Sequence, residues 1–194
     1  MRKSTFCALL TLAVCGNAAA GPFAPAAGQA GSTAVSKTDP ALTAWATGFV
    51  NYLPGSSVDA GFQTPSKALG PAVGDSFDTV SLGNAGRITL TFAGTLFNGP
   101  GYDFAVFENS FSDNFLELAF VEVSSDGSNF FRFPNFSLTP SAVGAFGLTD
   151  PTNLDGYAGK YRQGFGTPFD LDLFKTAAGI DINQISHIRL VDIV

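Results

Sequence analysis

The stretch GRITLTFAG, residues 86–94, sets Ile88, Leu90 and Phe92 in alternation with Arg87, Thr89 and Thr91. A period of two puts one set on each face of an extended chain, which a half-buried β-strand satisfies and a helix does not. Five further runs read as strands: GFVNYL ending at Pro54-Gly55, YDFAVFEN, LELAFVEVSS ending at Asp126-Gly127, NFFRFP, and ISHIRLVDIV. NFFRFP returns on LELAFVEVSS as a hairpin. Between the runs lie turn formers, 22 Gly and 11 Pro in 194 residues. This pattern predicts an all-β domain, an antiparallel β-sandwich with long loops. One short helix is expected at TDPALTAWA, with Asp39 as cap, Pro40 in the first turn and Leu42 and Trp45 three apart. FDLDLFKTAAG is expected to form a helical turn. Residues 138–169 form a long connection, of the kind that is functional or holds structure of its own.

The ends of the chain read differently from its middle. Arg2 and Lys3, the apolar run Phe6–Val14 and the small residues Ala18–Ala20 have the order of a secretory signal, expected to be cleaved after Ala20. The apolar run is too short to span a bilayer. Cys7 and Cys15, the two cysteines, both fall in the signal segment, so the processed chain has no thiol and no disulfide. A lipid-modified Cys15 is the alternative, and bulky Val14 just before it counts against that. Residues 21–37, rich in Gly, Ala and Pro, read as a flexible lead-in, and 38–194 as a single β-sandwich domain. The apolar run that reaches Val194 has no closing turn, which gives the expectation that the final strands of the domain are missing. The net charge of −6 and the absence of a Lys/Arg stripe argue against nucleic acid. No stretch after the signal is long and apolar enough for a transmembrane segment.

Several segments carry a resemblance in a fixed order: DPALTAWATGFVNYLPG, VSLGNAGRITLTF, GPGYDFAVFENSF, LELAFVEVSSDGSNFFRFP, DPTNLDGYAGKYRQGFGTPFDLDLF and ISHIRLVDIV. Over residues 38–194 the chain resembles a family of secreted bacterial cell-surface modules of the PEP-CTERM type. The resemblance implies a jelly-roll-like sandwich, an exported location and no catalysis. The chain departs from the pattern in lacking the last strands and the Pro-Glu-Pro sorting tail.

The chain's three glutamates, Glu108, Glu117 and Glu122, all fall within YDFAVFEN and LELAFVEVSS, taken as one strand pair. A carboxylate facing the interior of a sandwich needs a cation or hydrogen bonds. Asp103, Glu108, Asn109 and Glu117 are therefore candidate oxygen ligands for Ca²⁺, and a lone histidine with no thiol argues against zinc. The competing reading pairs these acids with Arg87, Arg132 or Arg189, or leaves them solvated. A second candidate cation loop is Asp150, Asn153 and Asp155, against ordinary Asx turns. Tyr157, Lys160, Tyr161, Arg162 and Phe165 form a candidate glycan-binding surface, against aromatics packed on the core. His187, the only histidine, sits on a strand with no Gly-x-Ser-x-Gly partner, so no catalytic residue is assigned. The primary reading is an exported, non-catalytic structural or adhesive module at the cell surface, in the medium or in the periplasm, stabilised by calcium. Its partner is then an extracellular glycan or surface protein. A carbohydrate-binding module is the alternative, and a glycoside-active enzyme using a carboxylate pair is the more distant one.

Overall fold

The computed structural model describes residues 20–144 and 147–193. The expected signal segment and its two cysteines lie outside them but for Ala20. The strands are β1 (Val35–Ser36), β2 (Gly48–Leu53), β3 (Arg87–Leu96), β4 (Phe104–Phe107), β5 (Ala119–Ser124), β6 (Phe131–Arg132), β7 (Phe136–Ser137), β8 (Leu154–Asp155), β9 (Phe165–Phe169) and β10 (Ile185–Asp192). They form antiparallel sheets in the orders β1-β9-β4, β2-β3-β10-β5-β6 and β7-β8. The fold is all-β; among the described residues the only helical elements are short 3-10 turns, one of them at the expected Leu171–Phe174.

Alternation explains the packing. Phe104 and Val106 of β4, Val121 and Val123 of β5, Phe92 of β3 and Ile188 and Leu190 of β10 meet in one core, with Phe169, Leu171 and Phe133. Phe133 lies edge-on to Phe169 at 4.9 Å and to Phe174 at 4.8 Å between centroids. Such contacts add to the burial of three large side chains. The outer face of the larger sheet carries Glu122, opposite Arg132 on β6 and Arg189 on β10. β10 is hydrogen-bonded on both sides, by β3 and β5, and the sheet's edges are β2 and β6. The β2–β3 pairing shifts register between Val50 and Leu53, where Asn51 takes φ 53°. Asn tolerates that left-handed conformation better than a branched residue does.

Three segments differ from expectation. The helix expected near Asp39 is a single turn: the Asp39 carboxylate accepts from Ala41 N and its carbonyl from Leu42 N, and the chain then runs without helix to β2. The cap is present, but the residues after it do not repeat its turn. The lead-in is docked rather than loose. Gly21 N donates to Thr152 Oγ1, Phe23 N to the Thr152 carbonyl, and β1 pairs with β9. Ala26 and Ala27 are buried, because a Gly/Ala segment fits a close crevice. Third, the two glutamate-bearing strands are not a pair: β4 belongs to the three-stranded sheet and β5 to the five-stranded one. LELAFVEVSS enters its sheet only at Ala119.

Candidate functional site

Glu108 follows the last residue of β4, and Glu117 precedes the first residue of β5 by two. Both therefore stand where the two sheets come together, at one end of each. The loop between them is tied down from within. Ser110 N donates to Glu108 Oε2 at 2.7 Å, Ser110 Oγ donates to the carbonyls of Ser112 and Phe115, and Phe111 stacks on Phe115 at 4.8 Å. Gln163 N donates to the Ser110 carbonyl at 2.6 Å and anchors the loop to the long connection.

The approach of the two glutamates depends on Gly159. Ala119 and Ala158 form an antiparallel bridge, with N–H···O distances of 3.1 and 3.0 Å. This lays Gly159 against the Glu117 backbone. A Cβ on Gly159 would lie 1.9 Å from the Glu117 carbonyl oxygen and 3.4 Å from Glu108 Cγ, and its φ is +80°. Only glycine meets both conditions.

The Glu117 carboxyl stands near enough to Glu108 to act on its charge. Burial pushes Glu108 up to about 8; the N–H groups of Asn109 and Ser110 oppose the rise, and the nearby Glu117 carboxyl adds to it. A buried carboxyl with a second acid nearby ionises at a cost, so Glu108 keeps its proton at neutral pH. Burial also raises Asp192, with the Glu117 charge contributing, against the hydrogen bond from Ala85 N. All three acids line a cleft of about 1200 Å³ between the sheets. Phe104 and Val106 of β4 and Leu90, Phe92 and Leu190 of the larger sheet are among its apolar lining.

The other expected ligands lie elsewhere or are engaged. Asp103 sits before β4, at the opposite end from Glu108. Its Oδ1 accepts from Gly99 N at 2.6 Å and its Oδ2 from Leu171 N at 2.7 Å. Asn109 Nδ2 donates to the Ser76 carbonyl at 2.7 Å. Asp150 caps the 3-10 turn Pro151–Asn153, accepting from Thr152 N and Thr152 Oγ1. Asp155 lies 3.8 Å from Lys160 Nζ, and Asn153 Oδ1 lies close beside Gly21. Among the described residues no group of three or more Asp, Glu, His or Cys side chains is arranged to hold a metal ion.

In the candidate glycan surface, Tyr157, Lys160 and Tyr161 are buried. Tyr161 shares a hydrogen bond with Thr33 at 2.8 Å. Burial lowers the Lys160 ammonium, and Asp155 opposes the shift. Arg162 pairs with Asp113 at 3.4 Å and covers the Phe165 ring at 4.7 Å. Aromatics that sequence reasoning missed are open instead. Phe77 and Phe111, 76% and 66% exposed, flank a hollow of about 190 Å³ shared with Asn109 and Glu117. Their signal was proximity to the Glu108–Glu117 segment for Phe111, and none for Phe77.

Glu122 has a separate fate. It accepts from Arg132 Nε at 2.9 Å and from Arg189 Nε at 2.5 Å, and the two guanidinium groups lie over Phe120 and Phe130. His187 Nδ1 shares a 2.7 Å hydrogen bond with Ser186, its neighbour in β10.

Comparison with protein-family models, with curated proteins and with solved structures finds no match to the chain.

Proposed function

We propose that the chain is an exported, non-catalytic surface module, a jelly-roll-like sandwich whose rim is stabilised by a divalent cation at Glu108 and Glu117. The observation behind this reading is that the Glu117 carboxyl stands near enough to the buried Glu108 to raise it, where the sheets meet. A proton neutralises such a pair only in part, whereas Ca²⁺ takes both carboxylates and completes its shell with carbonyls and water. Export rests on the order of charged, apolar and small residues before Gly21. Kinship with the PEP-CTERM-type surface modules is part of the same reading. No helix of the described residues is long and apolar enough to cross a membrane.

Thermal melting with Ca²⁺ and with chelator tests the proposal. Saturating Ca²⁺ raises the melting temperature, by the equivalent of about 2.7 kcal/mol at a hundredfold excess over Kd. Glu117→Gln removes the increase. A flat calorimetric titration with unchanged melting overturns the cation site.

A second reading, carbohydrate binding, is favoured by the exposed rings of Phe77 and Phe111 beside Asn109 and Glu117. Flat apolar faces next to hydrogen-bonding groups suit a sugar ring. A glycan screen of wild type against Phe77→Ala and Phe111→Ala checks it.

A further inference from the structure

The cleft between the sheets differs from an ordinary interior. Phe92, Phe104, Val106 and Leu190 are only partly buried, although each packs on the core. β4 ends its sheet, and among the described residues it pairs only with β9. Half of its backbone N–H and C=O groups therefore face away from a partner strand, alongside the apolar walls. The charge of the lining is one-sided. Asp75, Asp78, Asp103, Glu108, Glu117 and Asp192 line the cleft against one described cation, Lys67. Lys67 is engaged with Asp78 at 3.9 Å and with the Phe77 carbonyl at 2.7 Å. Glu108, Glu117 and Asp192 have no cationic side chain among their described ion-pair partners.

We infer that this cleft takes an extended apolar peptide segment of a partner protein, added as a strand along the free edge of β4, with a basic side chain of that segment against Glu117 and Asp192. Strand addition satisfies the unpaired backbone groups of β4, and alternate apolar side chains of the segment fill the gap facing Leu90, Phe92 and Leu190. The acidic lining supplies direction: a lysine or arginine at one end is attracted, and an acidic one is repelled. The inference rests on the free edge of β4 and the lining of the cleft and needs no cation, although a cation at Glu117 would compete with the basic side chain.

Trp45 reports on occupancy. It is the only tryptophan, lines the cleft and packs on Phe107 at 5.4 Å. The test titrates the full chain, in chelator, with a short acetylated peptide of alternating valine and threonine ending in two lysines, and reads Trp45 emission. Two control peptides carry glutamates in place of the lysines, or two central prolines that cannot pair with a strand. The lysine peptide saturates the signal and binds at least about tenfold more tightly than the glutamate peptide. The proline peptide gives no saturation, and Glu117→Gln loses most of the charge preference. Glu117 is exposed, so this variant is expected to keep the fold, and its melting curve is the check. Added Ca²⁺ weakens the lysine peptide if the cation site also exists, and leaves it unchanged if only the peptide reading holds. No saturable signal in chelator, equal binding of the lysine and glutamate peptides, or equal binding of the proline peptide overturns the inference. So does an emission change on raising protein concentration alone with a dimer by sedimentation, which assigns the cleft to a second copy of the chain.

Discussion

The Glu117 carboxyl acts on the charge of Glu108, although one glutamate follows a strand of the three-stranded sheet and the other precedes a strand of the five-stranded sheet. The pair thus joins the two sheets at their rim. Whatever neutralises it, a proton, a metal ion or a basic side chain, acts on the relation between the sheets.

Protonation of that pair makes stability depend on pH. The Glu108 carboxyl is raised from 4.5 to about 8 in the folded chain. Between those values the folded state holds a proton that the unfolded state has released, so stability falls as pH rises through the window. Asp192, also raised, acts in the same direction. In chelator, the melting temperature of wild type falls from pH 5 to pH 8, and Glu108→Gln flattens the slope. An equally steep slope in the variant would place the titrating group elsewhere.

Gly159 should tolerate no side chain. The added Cβ meets the Glu117 carbonyl oxygen at 1.9 Å, a backbone atom that cannot swing aside, and the φ of +80° is strained for alanine. Gly159→Ala costs more than about 1 kcal/mol, and it also weakens any Ca²⁺-dependent gain in melting temperature. Gly94→Ala is the control, because a Cβ there meets nothing within 4 Å and the backbone is unstrained. Urea melts of the two variants should separate clearly.

Glu122 is held by two arginines of unequal standing. The Arg189 side chain is 28% exposed and the Arg132 side chain 43%. Arg189 also lies closer to its ring, 3.7 Å over Phe130 against 4.2 Å for Arg132 over Phe120. Removing the buried member, Glu122→Ala, leaves both cations unpaired and costs about 1–3 kcal/mol. Arg189→Ala should cost more than Arg132→Ala. A double-mutant cycle on Glu122 with each arginine measures the difference, and equal couplings would contradict the geometry.

What the sequence revealed follows the range of each interaction. β3 and β10 were legible because alternation is local: Ile88 and Ile188 point inward by the same period that defines their strands. The crowding of glutamates was legible too. Its cause was not, because the bridge from Ala119 to Ala158 joins residues far apart in sequence and no local pattern marks Gly159 as the contact. The same holds at the start of the chain. Gly and Ala around Ala26 suggest a loose segment, yet Gly21 and Phe23 find their acceptors on Thr152. Tyr161 looked available for a ligand because its partner Thr33 lies in that same segment. Arg132 and Arg189 were both among the partners considered for the acids, and only the sheet order β10-β5-β6 brings the two onto Glu122 at once.

Asp103 separates a structural carboxylate from a cation ligand. Sequence reading groups it with Glu108, Asn109 and Glu117, since by sequence the two strands that carry the four read as a pair. In the fold its two oxygens accept from Gly99 N and Leu171 N, which ties the turn before β4 to the 3-10 turn after β9. Both are charge-assisted bonds to backbone donors that have no other described acceptor, each worth about 1.5–3 kcal/mol. Asp103→Ala should therefore lower stability by roughly 2 kcal/mol or more by the same reckoning, while the shift in melting temperature on adding Ca²⁺ stays as in wild type. Glu117→Gln should do the reverse, with little effect on the metal-free protein and no remaining response to Ca²⁺. Melting curves of the two variants with Ca²⁺ and with chelator supply the comparison. Loss of the Ca²⁺ response in Asp103→Ala, at a pH where the variant is fully folded, would return Asp103 to the ligand set.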